Sequence, residues 1–275
     1  MSPLGLCVAE RSKLISSSLH CQQLEGVNDI SPNTMSLHTG TGCSIGASND
    51  TQPGALNITA INSNVTLMNV DRTLYSGSSG HQDCNFQPGC GVVARNNNTY
   101  GPGFNDNGGG YYVMVRDLVA TNGTGVSIFF WPNGASNIPA AVSAAASTNG
   151  KGSTAPPFVL TEDMFKSWGT PQARFPRDTS SCSMADRFGP HLVIFNTAFC
   201  GDWAGGTFLT TPGCPTTQTC EDYVRNNPGA MQNARFELDY LRIYSNSGVV
   251  RGAVVAKGAL AASLVVMAVA FISSL

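Results

Sequence analysis

Glu25 stands near the end of the stretch HCQQLEG, residues 20–26, where its position suits acid–base chemistry. Hydrolysis of a glycosidic bond with retention of configuration needs two carboxyl groups, one as nucleophile and one as acid/base. Alternate residues of a β-strand share a face, and one bulge shifts that alternation by one residue. The pattern Glu-x-Asp-x-x-Glu on a bulged strand would therefore put three acids into one cleft. In this frame the chain has His20, Gln22 and Glu25, so only the last position is an acid.

A second pattern, GCSIG at residues 42–46, fits the G-x-S-x-G turn of serine hydrolases. That turn has to lead from a strand into a helix, and the residues that follow, ASNDTQPG, are poor helix formers. The side chains that could complete a triad on paper are His81 or His191 with Asp83 or Asp186. A chain of this size offers such combinations by chance, so the pattern is a weak alternative.

Metal and cofactor sites are not indicated by the sequence. The histidines form no H-E-x-x-H pair, and the cysteines form no CxxC pair; the histidines are His20, His38, His81 and His191. The glycine-rich GPGFNDNGGG, residues 101–110, lacks the Lys-Ser/Thr of a phosphate-binding loop and the spacing of a dinucleotide site. It predicts a plain loop, and we expect no metal and no cofactor.

Short apolar or alternating segments, separated by Gly, Pro and Asn, run through most of the chain and are typical of strands. They are GALNITAI (54–61), NVTLMNV (64–70), GYYVMVRDL (110–118), VSIFFWP (126–132), HLVIFNTAF (191–199) and RFELDYLRIY (235–244). One short helix is predicted, in TCEDYVRNNP (219–228), and AAVSAAASTNGKGSTAPP (140–157) is predicted to be a flexible loop or an insertion. The pattern favours an all-β sandwich or jelly roll.

Nine segments, in order and spacing, resemble the fungal branch of glycoside hydrolase family 16, the laminarinase-like endo-1,3(4)-β-glucanases. They are LEGVND, SLHTGTGC, DCNFQPGCGV, YGPGFNDNGGGYYVM, IFFWP, SWGTPQARFP, VIFNTAFCGDWAG, GCPTTQTC and FELDYLRIY. The resemblance runs from Leu24 to Tyr244, and IFNTAFCGDWAG is its most specific segment. We therefore expect an atypical segment at 1–23, a partial family domain at 24–244 and a tail at 245–275.

The resemblance implies a concanavalin-A-like β-jelly roll that holds β-glucan in a groove and hydrolyses it with retention. It assigns the acid/base glutamate to Glu25, the nucleophile to the position of His20 and the assisting aspartate to that of Gln22. It also assigns substrate binding to His38, in the LHT motif, and to Trp203, in GDWAG. Because no glycosyl-enzyme ester can form without a carboxylate at position 20, we expect no hydrolysis by this chain as written.

The chain also departs from the family at three charged positions. Val115, Ser127 and Asn133 stand where relatives commonly have Glu, Lys and Arg, which suggests an altered groove or surface drift. The sequence before Leu24 shows no resemblance, so N-terminal sandwich strands are expected to be missing. Either the gene lost this region, or the coding sequence has been read from the wrong start; the abrupt boundary favours the second account.

The composition indicates an oxidising, secretory compartment and gives no sign of nucleic acid as a partner. Charged residues are 12% of the 275, the formal net charge is −2, and no basic cluster occurs, so nucleic acid is not an expected partner. Nine cysteines favour an oxidising route and disulfides, and Cys214–Cys220 is the pairing predicted first. Because nine is odd, at least one thiol is unpaired or its partner is missing, and Cys7 and Cys21 are the candidates. N-x-S/T triplets begin at Asn49, Asn57, Asn64, Asn97 and Asn122 and predict glycosylation.

The C-terminus has the layout of a GPI-anchor signal. Small residues at 245–248 precede a short spacer and the uncharged apolar run GALAASLVVMAVAFISSL, residues 258–275, which is also long enough to span a bilayer as a helix. The N-terminal residues contain no apolar run of the length that a signal peptide needs, so we expect that this N-terminus is not the natural one. The predicted location is the cell surface or cell wall, and a monomer is expected.

A function of another class stays open, namely a non-catalytic cell-wall protein that binds β-glucan. Loss of the nucleophile together with retention of His38 and Trp203 is what such a protein would show. Binding of insoluble glucan without release of sugar would distinguish it from the hydrolase.

Overall fold

The structure, a computed structural model, describes residues 20–28, 32–43, 84, 90–94, 96–117, 125–146, 160–175, 178–179, 182–184, 186–187, 193–195, 197, 199–232, 234–245, 248–249 and 265–271. Its strands are β1 (His20–Glu25), β2 (Thr34–His38), β3 (Cys90–Val93), β4 (Gly110–Asp117), β5 (Gly125–Pro132), β6 (Ala173–Phe175), β7 (Asp178–Thr179), β8 (Cys182–Ser183), β9 (Leu238–Ser245), β10 (Gly248–Val249) and β11 (Val265–Phe271). Its α-helices are α1 (Gly101–Asp106), α2 (Ala140–Ala146), α3 (Glu162–Ser167), α4 (Gly201–Thr207) and α5 (Cys220–Asn226), with 3-10 helices at Asn97–Thr99 and Pro228–Met231.

Two antiparallel sheets pack against each other across one apolar core. The smaller sheet has the order β1-β2-β3 and the larger one the order β10-β9-β11-β4-β5-β6; β7 and β8 form a separate pair. Core side chains come from both sheets and include Met35, Leu37, Cys90, Val92, Tyr112, Ile128, Phe130 and Phe175. The molecule is thus a β-sandwich, and the all-β prediction is confirmed.

A second core covers the outer face of the larger sheet. Successive side chains of β4 and β5 point to opposite faces, so Val113 and Phe129 lie outside while their neighbours lie in the inter-sheet core. Phe129 makes edge-on contacts with Phe165 of α3 and with Trp168, at ring-centroid distances of 5.4 and 5.5 Å. The helices therefore bury the second face of β5, which explains why its sequence is a continuous apolar run.

Three elements of the structure agree closely with those predicted from the sequence. The segments 110–118 and 126–132 form β4 and β5, and 219–228 contains α5. The start of α5 is set by Thr219, whose hydroxyl accepts a hydrogen bond from the Asp222 amide at 3.2 Å. The predicted strands at 54–61 and 64–70 lie outside the described residues.

Other segments differ from the prediction. The segment 140–157, predicted as a loop, begins with α2, whose Val142 packs into the outer core. Alanine has the highest helix propensity, and the apolar outer face of the sheet favours the helix that covers it. The segment 101–110, predicted as a plain loop, contains α1 and ends at the first residue of β4, so that prediction is wrong. Helix α4 was also not predicted. Glycines in both helices oppose helix formation, so tertiary contacts must compensate.

The segment 191–199, predicted as a strand, is not one where it is described. Residues 193–195, 197 and 199 have no strand structure, and Ile194 is 72% exposed. A strand needs a neighbouring backbone to pair with, and in the described part of the chain none pairs with this segment. Phe195 instead contacts Phe236 through their rings, with centroids 6.0 Å apart.

Two of the three departures from the family pattern lie in the outer core. Val115 and Ser127 are direct partners across β4 and β5, and both are buried. Arg174 of β6 lies opposite Ser127, and burial lowers the pKa of its guanidinium to about 10. Asn133, by contrast, is exposed just beyond β5. Surface drift is therefore wrong for Val115 and Ser127, since neither side chain reaches the surface.

The described disulfides join Cys84 to Cys90 and Cys200 to Cys220. The predicted Cys214–Cys220 pairing is therefore wrong, because the ends of α4 and α5 meet and bring Cys200 to Cys220. Cys214 is itself in a disulfide, and Cys21 is a thiol, as predicted. Of the glycosylation candidates, Asn97 is described and exposed, while the other four lie outside the described residues.

The C-terminal apolar run contains β11, which pairs with β4 on one side and β9 on the other. Among the described residues, no helix is long and apolar enough to cross a membrane. The GPI signal and the membrane tail stay predictions.

Gly110, the first residue of β4, has no room for a side chain. A Cβ there would lie 2.5 Å from the Phe130 ring and 2.7 Å from the Trp131 carbonyl oxygen. We predict that Gly110→Ala lowers the free energy of unfolding by about 3 kcal/mol, since the crowded core must shift. Gly229→Ala, where a Cβ would meet nothing within 4 Å, is the control and should change it by less than about 0.5 kcal/mol. Denaturant titration measures both; equal stability of the two variants would contradict the packing of β4 on β5.

Candidate active site

The outer face of the small sheet holds most of the residues singled out for chemistry. Met35 and Leu37 of β2 are fully buried in the inter-sheet core. Strand alternation therefore puts Thr34, Ser36 and His38 on the other face. Residues paired directly across two antiparallel strands share a face. The partners of these three residues therefore lie on the same outer face.

The register between β1 and β2 contains one extra residue in β1. Gln22 pairs with Ser36 and Glu25 pairs with Thr34, so three steps along β1 match two along β2. Cys21 and Leu24 both pack against the inter-sheet core, although regular alternation would separate them. This is the bulge that the chemistry requires, and it gives backbone positions 20, 22 and 25 a common face.

The floor of this face is low and polar. Position 20 lies opposite His38, and Ser36 lies between position 22 and Gly91 of β3. Ser36 and Gly91 are buried, whereas Thr34 and His38 are half-buried. Hydroxyl and imidazole groups can exchange hydrogen bonds with sugar hydroxyls, and Gly91 contributes no side chain to the middle of this face.

Asn28 fastens the end of this strand to α4. Its Nδ2 donates hydrogen bonds to the Ala204 carbonyl at 3.1 Å and to the hydroxyl oxygens of Thr207 at 3.2 Å and Thr211 at 3.4 Å. The Tyr100 hydroxyl donates to the Asn28 carbonyl at 3.1 Å. Asn28 is 1% exposed and has a φ of 52°, a left-handed conformation that asparagine tolerates better than most residues. The chain thus turns sharply at Asn28, three residues after Glu25, and the hydrogen bonds to α4 and Tyr100 hold this turn in place.

Gly26 makes the same turn possible by its lack of a side chain. A Cβ at this position would lie 1.9 Å from the Tyr100 ring. The next residue, Val27, packs on Ala204 of α4. The sequence Glu-Gly-Val-Asn therefore has a structural reason for each residue after the glutamate.

A buried chain of hydrogen bonds links the small sheet to β4. The backbone amide of Asn33 donates to the Thr99 hydroxyl at 3.0 Å, and that hydroxyl donates to the Asn96 carbonyl at 2.7 Å. The Tyr112 hydroxyl of β4 donates to the Thr99 carbonyl at 2.5 Å. Burial raises the pKa of the Tyr112 phenol, so it stays a neutral donor. The loop between β1 and β2 is therefore tied through Thr99 to β4 of the larger sheet.

Helix α4 carries Trp203, and its start is constrained. Cys200, just before the helix, has a φ of 61°, and Gly201 has a φ of 86°. The Cys200–Cys220 disulfide ties this turn to α5. The bond from Asn28 to the Ala204 carbonyl then fixes the backbone next to Trp203 relative to the end of β1.

The predicted residues fall in two groups. His20, Gln22, Glu25 and His38 all lie on β1 and β2, with His20 directly opposite His38. Trp203 lies on α4, which Asn28 binds to the same strand end. In the alternative serine-hydrolase pattern, Cys43 is buried in the core and Asp186 is exposed, while Ser44, His81, Asp83 and His191 lie outside the described residues.

Sequence reasoning missed the residues that hold the site together, namely Asn28, Tyr100, Thr207 and Thr211. Asn28 directly after the apolar Val27 was the available signal, since a buried asparagine must have hydrogen-bond partners. Its partners lie more than 170 residues away along the chain, so only the fold identifies them.

Comparison with protein families matches residues 22–244 to the family described as an XgeA-like, catalytic GH16 domain. A probable endo-1,3(4)-β-glucanase of Aspergillus fumigatus is 32% identical over 227 residues, which are 80% of this chain and 27% of that protein. The endo-1,3(4)-β-glucanase xgeA of Emericella nidulans is 31% identical over 82% of this chain and 29% of its own length. The chain thus spans little more than a quarter of the length of these relatives.

A similar solved structure is GH16 laminarinase 16A from Phanerochaete chrysosporium, with β-glucans in both donor and acceptor sites. It is 27% identical, with a TM-score of 0.56, over 97% of this chain and 69% of that one. A mutant laminarinase 16A that cyclizes laminariheptaose has a TM-score of 0.57 at the same identity and the same coverage of both chains. These neighbours confirm the predicted jelly-roll sandwich.

Asn28→Gly tests the link between β1 and α4, because glycine keeps the left-handed backbone and removes only the side chain. We predict a loss of about 2–3 kcal/mol in the free energy of unfolding, since the buried Ala204 carbonyl loses a donor. Amide exchange in α4 should become faster at the same time. Asn226→Ala, at the exposed end of α5, is the matched control and should leave both unchanged. If α4 exchanges equally fast in both variants, Asn28 does not hold the helix.

Proposed function

Since this chain belongs to the XgeA-like catalytic domains of glycoside hydrolase family 16, we propose that it is, by family, a glycosidase of the endo-1,3(4)-β-glucanase type. We further propose that this sequence binds β-glucan but lacks the nucleophile that hydrolysis needs. Support comes from the named activities of its relatives and from the laminarinase structure that holds β-glucans. The observation that carries the proposal is the bulged register of β1, which gives positions 20, 22 and 25 one face beside His38 and Ser36.

The glucan lies along this outer face of the small sheet. Hydroxyl and imidazole groups of Ser36 and His38, on this face, exchange hydrogen bonds with glucose hydroxyls, and Gly91 adds no side chain between them and the sugar. Trp203, on the helix tied to the end of β1, supplies an aromatic surface for the apolar face of a sugar. Aromatic stacking with a few directed hydrogen bonds is the usual chemistry of such a groove.

Cleavage with retention proceeds in two steps, and this chain has the group for one role. Glu25 protonates the departing glycosidic oxygen and afterwards activates water. The nucleophile must form an ester with the sugar, and position 20 holds a histidine instead of a carboxylate. Position 22 holds Gln22 in place of the assisting aspartate. The chain as written therefore binds β-glucan without hydrolysing it.

A second candidate is a cell-wall protein that binds β-glucan and has no catalytic role. Two acids of the three-acid frame are absent while His38 and Trp203 are kept, which favours this reading. The two candidates differ in whether the rest of the site still supports cleavage once the acids are restored.

We also propose an extracellular or cell-surface location. The disulfides Cys84–Cys90 and Cys200–Cys220 support an oxidising compartment. A β-glucan groove suits a protein that meets wall polysaccharide outside the cell.

Restoring the frame tests the proposed function. The parent chain should release no reducing sugar from laminarin or lichenan, because it has no nucleophile. His20→Glu/Gln22→Asp should release it, and adding Glu25→Gln to these two substitutions should lower the rate by a factor of about 100 or more, because the acid/base is lost.

The controls separate the possible outcomes. Retention of all three proteins on insoluble β-glucan shows that the groove is intact. Binding without release by the double variant would favour the non-catalytic protein. Release by the parent chain that Glu25→Gln abolishes would contradict the expected inactivity.

A further inference from the structure

The larger sheet is held together through its C-terminal strand. In the order β10-β9-β11-β4-β5-β6, the described parts of β9 and β4 are joined only through β11. Val265–Phe271 pairs antiparallel with Arg116–Gly110 on one side and with Ser245–Leu238 on the other. We propose that the gap between β4 and β9 is a strand-acceptor site and that residues 265–271 are its resident strand, retained in the folded protein.

The length of the segment fits the gap. All seven residues of β11 have a partner on β4, and the paired residues reach the first residue of that strand, Gly110. On β9 the pairs run from Ser245 to Leu238, with one irregularity at the last step. A strand in this place satisfies backbone groups on both sides, so neither β4 nor β9 is left with a bare edge.

The composition of the segment also fits. VVMAVAF has no charge, proline or glycine and is rich in residues that favour strands. Its register puts Met267 and Val269 on the face of Met114 and Tyr112, which belong to the inter-sheet core. Ala268 pairs with Val113, which belongs to the outer core, so the neighbouring strand has apolar residues on both faces. An uninterrupted apolar sequence suits such a place in the sheet.

The same residues cannot serve two roles at once. A GPI signal removes them from the mature protein, and a membrane tail coils them into a helix within lipid. Either fate would remove the neighbour that β4 and β9 share and would separate the β9–β10 hairpin from the sheet. Apolar character alone predicts the membrane, whereas the pairing on both sides favours the sheet.

Amide exchange in the full chain tests the proposal. Ala268→Pro removes a backbone donor in the middle of β11 and blocks strand pairing, so amides of both β4 and β9 should exchange at least about tenfold faster. Ala268→Val keeps the strand and is the matched control; it should leave these rates unchanged. Equal exchange in the two variants would overturn the proposal and favour the removed or membrane-bound tail.

A crosslink covers the case in which Ala268→Pro does not fold. Val113 and Ala268 are direct partners, so Val113→Cys/Ala268→Cys should form a disulfide under mild oxidation. Val113→Cys/Val269→Cys joins positions on opposite faces and should form none. Peptide mapping by mass spectrometry detects the bond. Absence of the first crosslink, or equal yield of both, would overturn the proposal.

Discussion

The burial of Met35 and Leu37 in the inter-sheet core is the constraint on which the site depends. With these two side chains inside, strand alternation places Thr34, Ser36 and His38 on the outer face of the small sheet. Cross-strand pairing then assigns the same face to positions 20, 22 and 25, provided that β1 contains one extra residue. The core and the bulge together therefore decide which residues can meet a ligand.

Hydrogen bonds then join this face to the rest of the molecule. Asn28 connects the end of β1 to α4, and Thr99 connects the loop before β2 to Tyr112 of the opposite sheet. Both connections are buried, where a lost partner costs more than it does at the surface. The chemistry of the site needs acids at two further positions, whereas the bulged register and the buried hydrogen bonds are present among the described residues.

The sequence predicts elements whose stability is local and misses those that depend on distant partners. Strands β4 and β5 follow from their apolar patterns, and α5 follows from its Thr219 cap. Helix α2 was missed because the apolar outer face that it covers belongs to other segments. The apolar segment around Ile194 was predicted as a strand but is exposed and has no strand structure where it is described. The apolar run that contains β11 was predicted as an anchor or membrane tail but pairs within the sheet. Apolar character alone therefore does not identify the partner of a segment.

The residues of the site divide in the same way, into those that the sequence predicts and those that depend on distant partners. The position of Glu25 and the need for a bulge could be read from residue order, because strand geometry is regular, whereas His38 was singled out by the family resemblance. The role of Asn28 could not, because its partners on α4 are brought to it by the turn at Gly26 and by the Cys200–Cys220 disulfide. Family resemblance gave a role to Trp203, and the hydrogen bond from Asn28 to the Ala204 carbonyl explains why the backbone of α4 lies near the end of β1.

Amide chemical shifts, followed while a laminarin oligosaccharide is added to the parent chain, show whether the outer face of the small sheet binds glucan. We expect saturable changes at Ser36, His38 and Gly91, on that face, and none at Val113 and Phe129, under the helices. Changes confined to other surfaces, or no change at any glucan concentration, would contradict this expectation.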